Sequence, residues 1–262
     1  MKKILLGLST IALTSAAFSA DYSDDIHKND YAWSQFNLMY AFDELPGESS
    51  HDYIEMEFGG RSGFLDLYGY VDVFNITSSD DSDKADSEKM FAKISPRFSL
   101  DGITRKDLSF GAVQEVYLAT LFTLGGGADS TNNSLIGLGS DVEVPWLGKV
   151  GMNFYALYDQ SFGYRDGFNG YQFSMNWFKP FKFFENGSFL SYQGYLDYQF
   201  AMDSDYVSST DGGATFHGLY WHSDRYSVGY GLKLYKDVYG IEDSDAFKST
   251  GASHYIAATY KF

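Results

Sequence analysis

Between residues 53 and 74, charged and phenolic side chains fall at every second position. Tyr53, Glu55 and Glu57 oppose Ile54, Met56 and Phe58, and Asp66, Tyr68, Tyr70 and Asp72 oppose Leu65, Leu67, Val71 and Val73. The same alternation gathers Lys93 and Arg97, Glu115 and Tyr117, Gln172 and Asn176, Tyr195 and Asp197, and Lys233 and Tyr235, each on the polar side of its own segment. Asp141, Tyr155 and Lys261 share those sides. A period of two belongs to β-strands, whose successive side chains point to opposite faces. Carboxylates, amides and cations hydrogen-bond hydroxyl groups, and phenol rings stack on flat rings. Converging on one space, these residues would form a slot for a flat polar ring flanked by hydroxyls. The competing reading is structural: opposed charges pair and brace the walls that carry them.

Other constellations carry less chemistry. His222-Ser223-Asp224-Arg225 offers the residue types of a hydrolase. Adjacent strand residues point apart, so His222 and Ser223 do not form a nucleophile–base pair, and the segment reads as a turn. His217 and His222 are five apart, and no cysteine or carboxylate cluster completes a zinc site around them. Asp80, Asp81, Asp83, Asp86 and Glu88 lack the spacing and the glycine of a calcium loop and read as a solvated loop. Gly125-Gly126-Gly127 lacks the Lys-Ser/Thr of a phosphate loop. Asn186-Gly187-Ser188 reads as a turn. Neither a cofactor nor an enzyme activity is expected.

The elements that position the polar sides are short strands. Alternation predicts twelve, over 32–42, 52–60, 63–74, 90–100, 112–123, 135–143, 149–158, 168–178, 188–200, 214–222, 226–237 and 252–262. Charges on strands inside hydrocarbon would cost a few kcal/mol each, so the polar sides should face the lumen of a closed sheet. The predicted fold class is therefore all-β: a transmembrane antiparallel β-barrel of about twelve strands in the outer membrane of a Gram-negative bacterium. The C-terminal strand ends on an aromatic, Phe262, with Ile256, Ala258 and Tyr260 on its side and Tyr255, Ala257, Thr259 and Lys261 opposite. Connections over 60–62, 101–111, 144–148, 179–187 and 223–225 are mostly short. Those over 43–51, 75–89, 124–134, 159–167, 201–213 and 238–251 are longer and rich in Asp, Ser and Gly. With both termini periplasmic, the longer set is extracellular. Trp33, Trp146, Trp177 and Trp221 then gather at the periplasmic rim with Phe181, Phe183, Phe184 and Phe262, as an interfacial belt.

Bulk properties agree. Lys2 and Lys3, the short apolar run from Ile4 to Ala16 and the sequence Ala17-Phe18-Ser19 predict a cleaved export signal over 1–19. A single domain over 20–262 follows, opening with a periplasmic segment. The formal charge is −16, and removing the two lysines takes it to −18, which argues against a nucleic-acid partner. The mean hydropathy of −0.26 suits strands of which only alternate residues meet lipid. Aromatics make up 19% of residues, natural for interfacial girdles and a stacking channel.

Several stretches carry a resemblance. Asp25-Ile-His-Lys-Asn-Asp-Tyr31, Glu44-Leu-Pro-Gly-Glu-Ser-Ser-His-Asp-Tyr53, Glu57-Phe-Gly-Gly-Arg-Ser-Gly63, Leu67-Tyr-Gly-Tyr-Val-Asp-Val-Phe-Asn75, Asn176-Trp-Phe-Lys-Pro-Phe181 and Tyr220-Trp-His-Ser-Asp-Arg225 resemble the Tsx-like nucleoside-specific channels of the outer membrane, and within them the OmpK type. The similarity runs over nearly all of 20–262. It implies a monomeric twelve-stranded barrel that passes nucleosides and deoxynucleosides, and external loops that can serve as a receptor for bacteriophage tail proteins. Lipid and lipopolysaccharide would surround it. The lining residues come from alternation alone, since no nucleoside-binding position aligns individually.

The leading expectation is passive, selective diffusion of nucleosides. The alternative is a phage-receptor or adhesion barrel with little transport selectivity. An outer-membrane enzyme and a soluble secreted β protein remain as further classes; altered lipid hydrolysis on changing His222 would mark the first, and partition into water without detergent the second.

Overall fold

The computed structural model describes residues 20–126, 131–160 and 166–262. Twelve antiparallel strands form one closed sheet, each hydrogen-bonded to its neighbours in sequence, with β1 sealing against β12. They are β1 Tyr31–Glu44, β2 Ser49–Ser62, β3 Leu65–Phe74, β4 Met90–Ser99, β5 Val113–Gly125, β6 Asn132–Val144, β7 Gly148–Asp159, β8 Gly167–Phe183, β9 Phe189–Phe200, β10 Gly212–His222, β11 Tyr226–Lys236 and β12 Gly251–Lys261. All twelve expected strands are present. Closure leaves no unpaired strand edge, the condition for burying a sheet in hydrocarbon. The predicted signal segment, 1–19, lies outside the described residues.

Alternation sorts the two faces. Along β12, Ile256 is 52% exposed and Tyr255 3%, so the apolar side of the closing strand looks outward. Leu138 at the middle of β6 is 63% exposed, on the same outer face as Ile136. Leu138→Arg should therefore destabilise the barrel by about 2–4 kcal/mol, read from unfolding in lipid vesicles, because the charge would meet the bilayer midplane. An unchanged midpoint would place this face in water.

Three connections differ from the sequence reading, the first being 60–62, which lies within β2 so that the turn falls at 63–64. The connection expected over 43–51 is only the turn 45–48, because β1 and β2 each extend past the polar residues that suggested a loop. Likewise β8 continues through Pro180 to Phe183. A bulge between Pro180 and Lys182 absorbs the residue that cannot donate to the ladder. The remaining turn, 184–188, contains Asn186-Gly187-Ser188. There Gly187 takes a φ of +82°, and the Asn186 side chain accepts from the Ser188 backbone N–H at 3.1 Å and hydroxyl at 2.7 Å.

One short helix was not expected, α1 Leu100–Thr104, in the connection from β4 to β5. Ser99 caps it by accepting from Gly102 N–H at 3.0 Å, and Asp101 ties the connection down by accepting from Leu108 and Val116 N–H at 2.9 and 3.1 Å.

The tryptophans separate by parity. Trp177 and Trp146 pack on Tyr192 of the outer face, with ring centroids 5.7 and 6.0 Å away, and Trp221 is 37% exposed there. Trp33 does not join that belt. It shares the parity of Gln35 and Asn37 and turns inward, lying flat over Gly59, 6.3 Å from Tyr68. The two histidines of β10 also part company. His217 faces outward, held by Tyr192 Oη at 2.7 Å, while His222 faces the bore.

Candidate functional site

Every candidate residue named from alternation points into the bore, but the bore treats them differently. Near the end that carries both termini, charges are locked together. Arg61 pairs with Glu115 at 2.9 Å and with Asp66 at 3.5 Å. Arg97 pairs with Asp66 at 2.8 Å and with Asp141 at 3.1 Å, and its guanidinium lies 4.1 Å from the Tyr117 ring centroid. Tyr117 Oη donates to Asp141 at 3.0 Å and accepts from Arg61. Tyr22, from the segment before β1, reaches up into this lattice and donates to Glu115 at 2.6 Å. Burial, then that bond, raises its phenol above the usual value, so it stays a donor. Tyr117 is fully buried, and Glu115 and Asp66 nearly so. These groups pair with one another and brace the barrel, leaving Glu115, Tyr117 and Asp66 buried and Arg97 half-buried.

Toward the middle, one wall is acidic. Gln35 donates to Glu57 at 2.6 Å, Asn37 donates to Glu55 at 2.6 Å and Glu57 at 3.2 Å, and Tyr68 Oη donates to Glu57 at 2.8 Å. Thr259 fixes the Asn37 amide at 2.7 Å. Glu55 and Asp72 lie in register on β2 and β3, and Asp72 Oδ1 is buried without a hydrogen-bond partner. Among the described residues no lysine, arginine or histidine comes within 4 Å of Glu55, Glu57 or Asp72, whereas Asp66, Glu115, Asp141 and Asp197 are all paired. Amide and hydroxyl donors, rather than cations, sit within hydrogen-bonding reach of Glu55 and Glu57.

Rings line the neighbouring strands. Tyr195 and Phe216 stack with centroids 5.9 Å apart at 10°, and Tyr255 meets Phe216 edge-on at 5.8 Å. Phe216 lies against Gly231 and Tyr220 against Gly229; a methyl group at either glycine would run into the ring. The missing side chains give the rings a flat bed along the wall. Toward the loop end, Lys233 stands 4.9 Å from the Tyr235 ring and pairs with Glu44 at 3.5 Å, and Tyr255 also donates to Glu44, at 2.8 Å. Tyr235 is buried beside Leu45 and Val238. Above them the loop after β11 is tied by Asp243, whose carboxyl accepts from Ser249 and Thr250 N–H, each at 2.9 Å. Those bonds hold it below the usual carboxylate range.

The remaining candidates lie across the bore. Lys93 pairs with Asp197 at 2.8 Å; Asp197 also accepts from Ser174 at 2.6 Å and from Gln172 at 3.4 Å. Tyr70 is in register with Lys93, and Asn176 faces the open space below. His222 accepts or donates to Ser191, not Ser223, at 2.8 Å, and stacks on Phe189 at 4.6 Å. Ser191 is fully buried, so this pair reads as packing.

Sequence reasoning missed Arg61, Gln35, Asn37, Glu44 and Tyr22. Arg61 and Glu44 fell into stretches read as turns. Gln35 and Asn37 carry no charge, although their parity with Met39 and Ala41 placed them on the inner face. Nothing local in the sequence announces that Tyr22 folds back into the barrel.

A family model described as "Nucleoside-specific channel-forming protein, Tsx" matches residues 28–262. The chain belongs to that family. Outer membrane protein OmpK of Vibrio parahaemolyticus serotype O3:K6 is 65% identical over 269 aligned positions, covering all of both chains. The nucleoside-specific channel-forming protein Tsx of Salmonella typhimurium LT2 is 30% identical over 292, again covering all of both. Among solved structures, a KdgM porin in complex with disordered oligogalacturonate matches with a TM-score of 0.47 at 11% identity, covering 87% of this chain and 99% of that one. The family, the full-length OmpK and Tsx relatives and the closed sheet make the chain an outer-membrane β-barrel channel.

Proposed function

We propose that this barrel passes nucleosides and deoxynucleosides down their gradient across the outer membrane, as a monomer with both termini in the periplasm. The observation that carries the reading is the pairing of one carboxylate wall, Glu55, Glu57 and Asp72, with the ring wall of Tyr195, Phe216 and Tyr220. A base can stack on the rings while ribose hydroxyls donate to the carboxylates. Both contacts are weak enough to release the solute, as conduction requires. The name of the family points the same way. In this orientation the loops 75–89, 201–211 and 237–250 are external and available to bacteriophage tail proteins, and the apolar belt meets phospholipid and lipopolysaccharide.

Planar-bilayer recording tests the selectivity. Adenosine or thymidine should block the ionic current in a saturable manner at millimolar concentration, and a neutral hexose should not. An open channel indifferent to both nucleosides would overturn the reading and favour a receptor barrel without transport selectivity.

A further inference from the structure

Lys93 is on β4 and Asp197 on β9. Around the closed sheet these strands are five steps apart by way of β5 to β8 and seven by way of β10 to β3, so they stand on nearly opposite walls. Their ion pair, at 2.8 Å, therefore crosses the bore. A round barrel of twelve strands with ordinary spacing and tilt would be about 20–24 Å across between backbones. A lysine and an aspartate joined end to end span only about 12 Å between Cα atoms. The barrel must be flattened along this line, and the pair must hold its two long walls together.

The two compartments on either side of the pair differ. The shorter arc, β5 to β8, closes its interior with the cluster Ala119, Leu121, Leu135, Tyr155 and Leu157, none more than 5% exposed, flanked by buried polar groups such as Glu115, Asp141 and Asn153. The longer arc carries the carboxylates of β2 and β3 and the rings of β9 and β10. We propose that Lys93–Asp197 is a strut that partitions the bore, leaving one lane sealed by packed side chains and one conducting lane, and that it sets the width of the conducting lane. The choice of a charged pair has a physical reason. Its Coulomb attraction and the bonds from Ser174 and Gln172 to Asp197 fix the length of the link, whereas an apolar contact in a wet bore would be free to part. The pair also neutralises itself, so it narrows the lane without adding to the potential of the carboxylate wall. That the conducted solute includes nucleosides rests on the reading above; the partition itself does not.

Single-channel recording in potassium chloride, with folding checked by heat-modified gel mobility, is the test. Lys93→Ala with Asp197→Ala should raise conductance on the order of twofold or more, since a gate of fixed width is lost. The reversed pair, Lys93→Asp with Asp197→Lys, rebuilds the strut from the other wall and should return conductance to the wild-type value. Asp197→Asn keeps the Ser174 and Gln172 bonds, weakens the link and should give an intermediate or flickering current, and it serves if the double variant does not fold. Wild-type conductance from both the double alanine variant and Asp197→Asn would overturn the proposal. The lanes can be told apart by thiol labelling, because the chain has no cysteine of its own. Glu57→Cys should react with a charged methanethiosulfonate reagent and lose current, while Leu135→Cys should not react. Labelling and block at Leu135→Cys would place conduction in the wrong lane. Ionic current reports on the strut whether or not nucleosides bind, so failure here and failure of nucleoside block are separate results.

Discussion

Replacing Arg61 with methionine should cost the barrel about 3–5 kcal/mol, the usual penalty for removing one partner of a buried ion pair. Arg61 is 8% exposed and its guanidinium answers Glu115, Asp66, Tyr22 and Tyr117 together. Without it two carboxylates remain buried with half their partners gone. The denaturant midpoint for unfolding from lipid vesicles should fall, and Glu115→Gln added to Arg61→Met should recover part of the loss. As a control, Lys248→Met, which breaks a solvated loop pair with Asp243, should leave the midpoint where it was. Equal midpoints for wild type and Arg61→Met would mean that the lattice near the termini is ornamental to stability.

The second large effect concerns ion selectivity. Glu55, Glu57 and Asp72 stand on the inner face of β2 and β3 with no cation within 4 Å among the described residues, so a solute path along that face should prefer potassium over chloride. Changing all three to Gln, Gln and Asn keeps their shape and removes their charge. The potassium-over-chloride permeability ratio, taken from reversal potentials under a salt gradient, should fall by roughly three- to tenfold. Nucleoside block should weaken in the same variant, because hydroxyl donors bind carboxylates more tightly than amides. A ratio that does not move would show that ions travel past another wall.

Much of the architecture was readable from a period of two. Each of the twelve strands is where alternation puts it, because a slip of one residue would turn Glu55, Glu57 or Asp72 into lipid. The errors sit at strand ends, where Pro180 and the Asp43–Glu44 pair looked like loop but the ladder continued through a bulge or a polar edge. Function was harder to read. Parity says that a side chain faces inward, not whether it meets solute. Tyr117 and Tyr195 have the same parity and chemistry, yet one is sealed between two guanidinium groups and the other stacks on the Phe216 ring. That distinction depends on which strands stand opposite each other, and Lys93 and Asp197 are 104 residues apart in sequence. Trp33 failed for a similar reason: its partner is the bare surface of Gly59 on the next strand.

The seam between the first and last strands carries a timing consequence. Thr259 orients the Asn37 amide, and Asn37 in turn holds Glu55 and Glu57. Until synthesis and insertion deliver the final hairpin, that amide has no fixed direction and the two acids have no frame. An unsealed intermediate would therefore lack the frame of its inner wall, and only the finished ring fixes where those acids point.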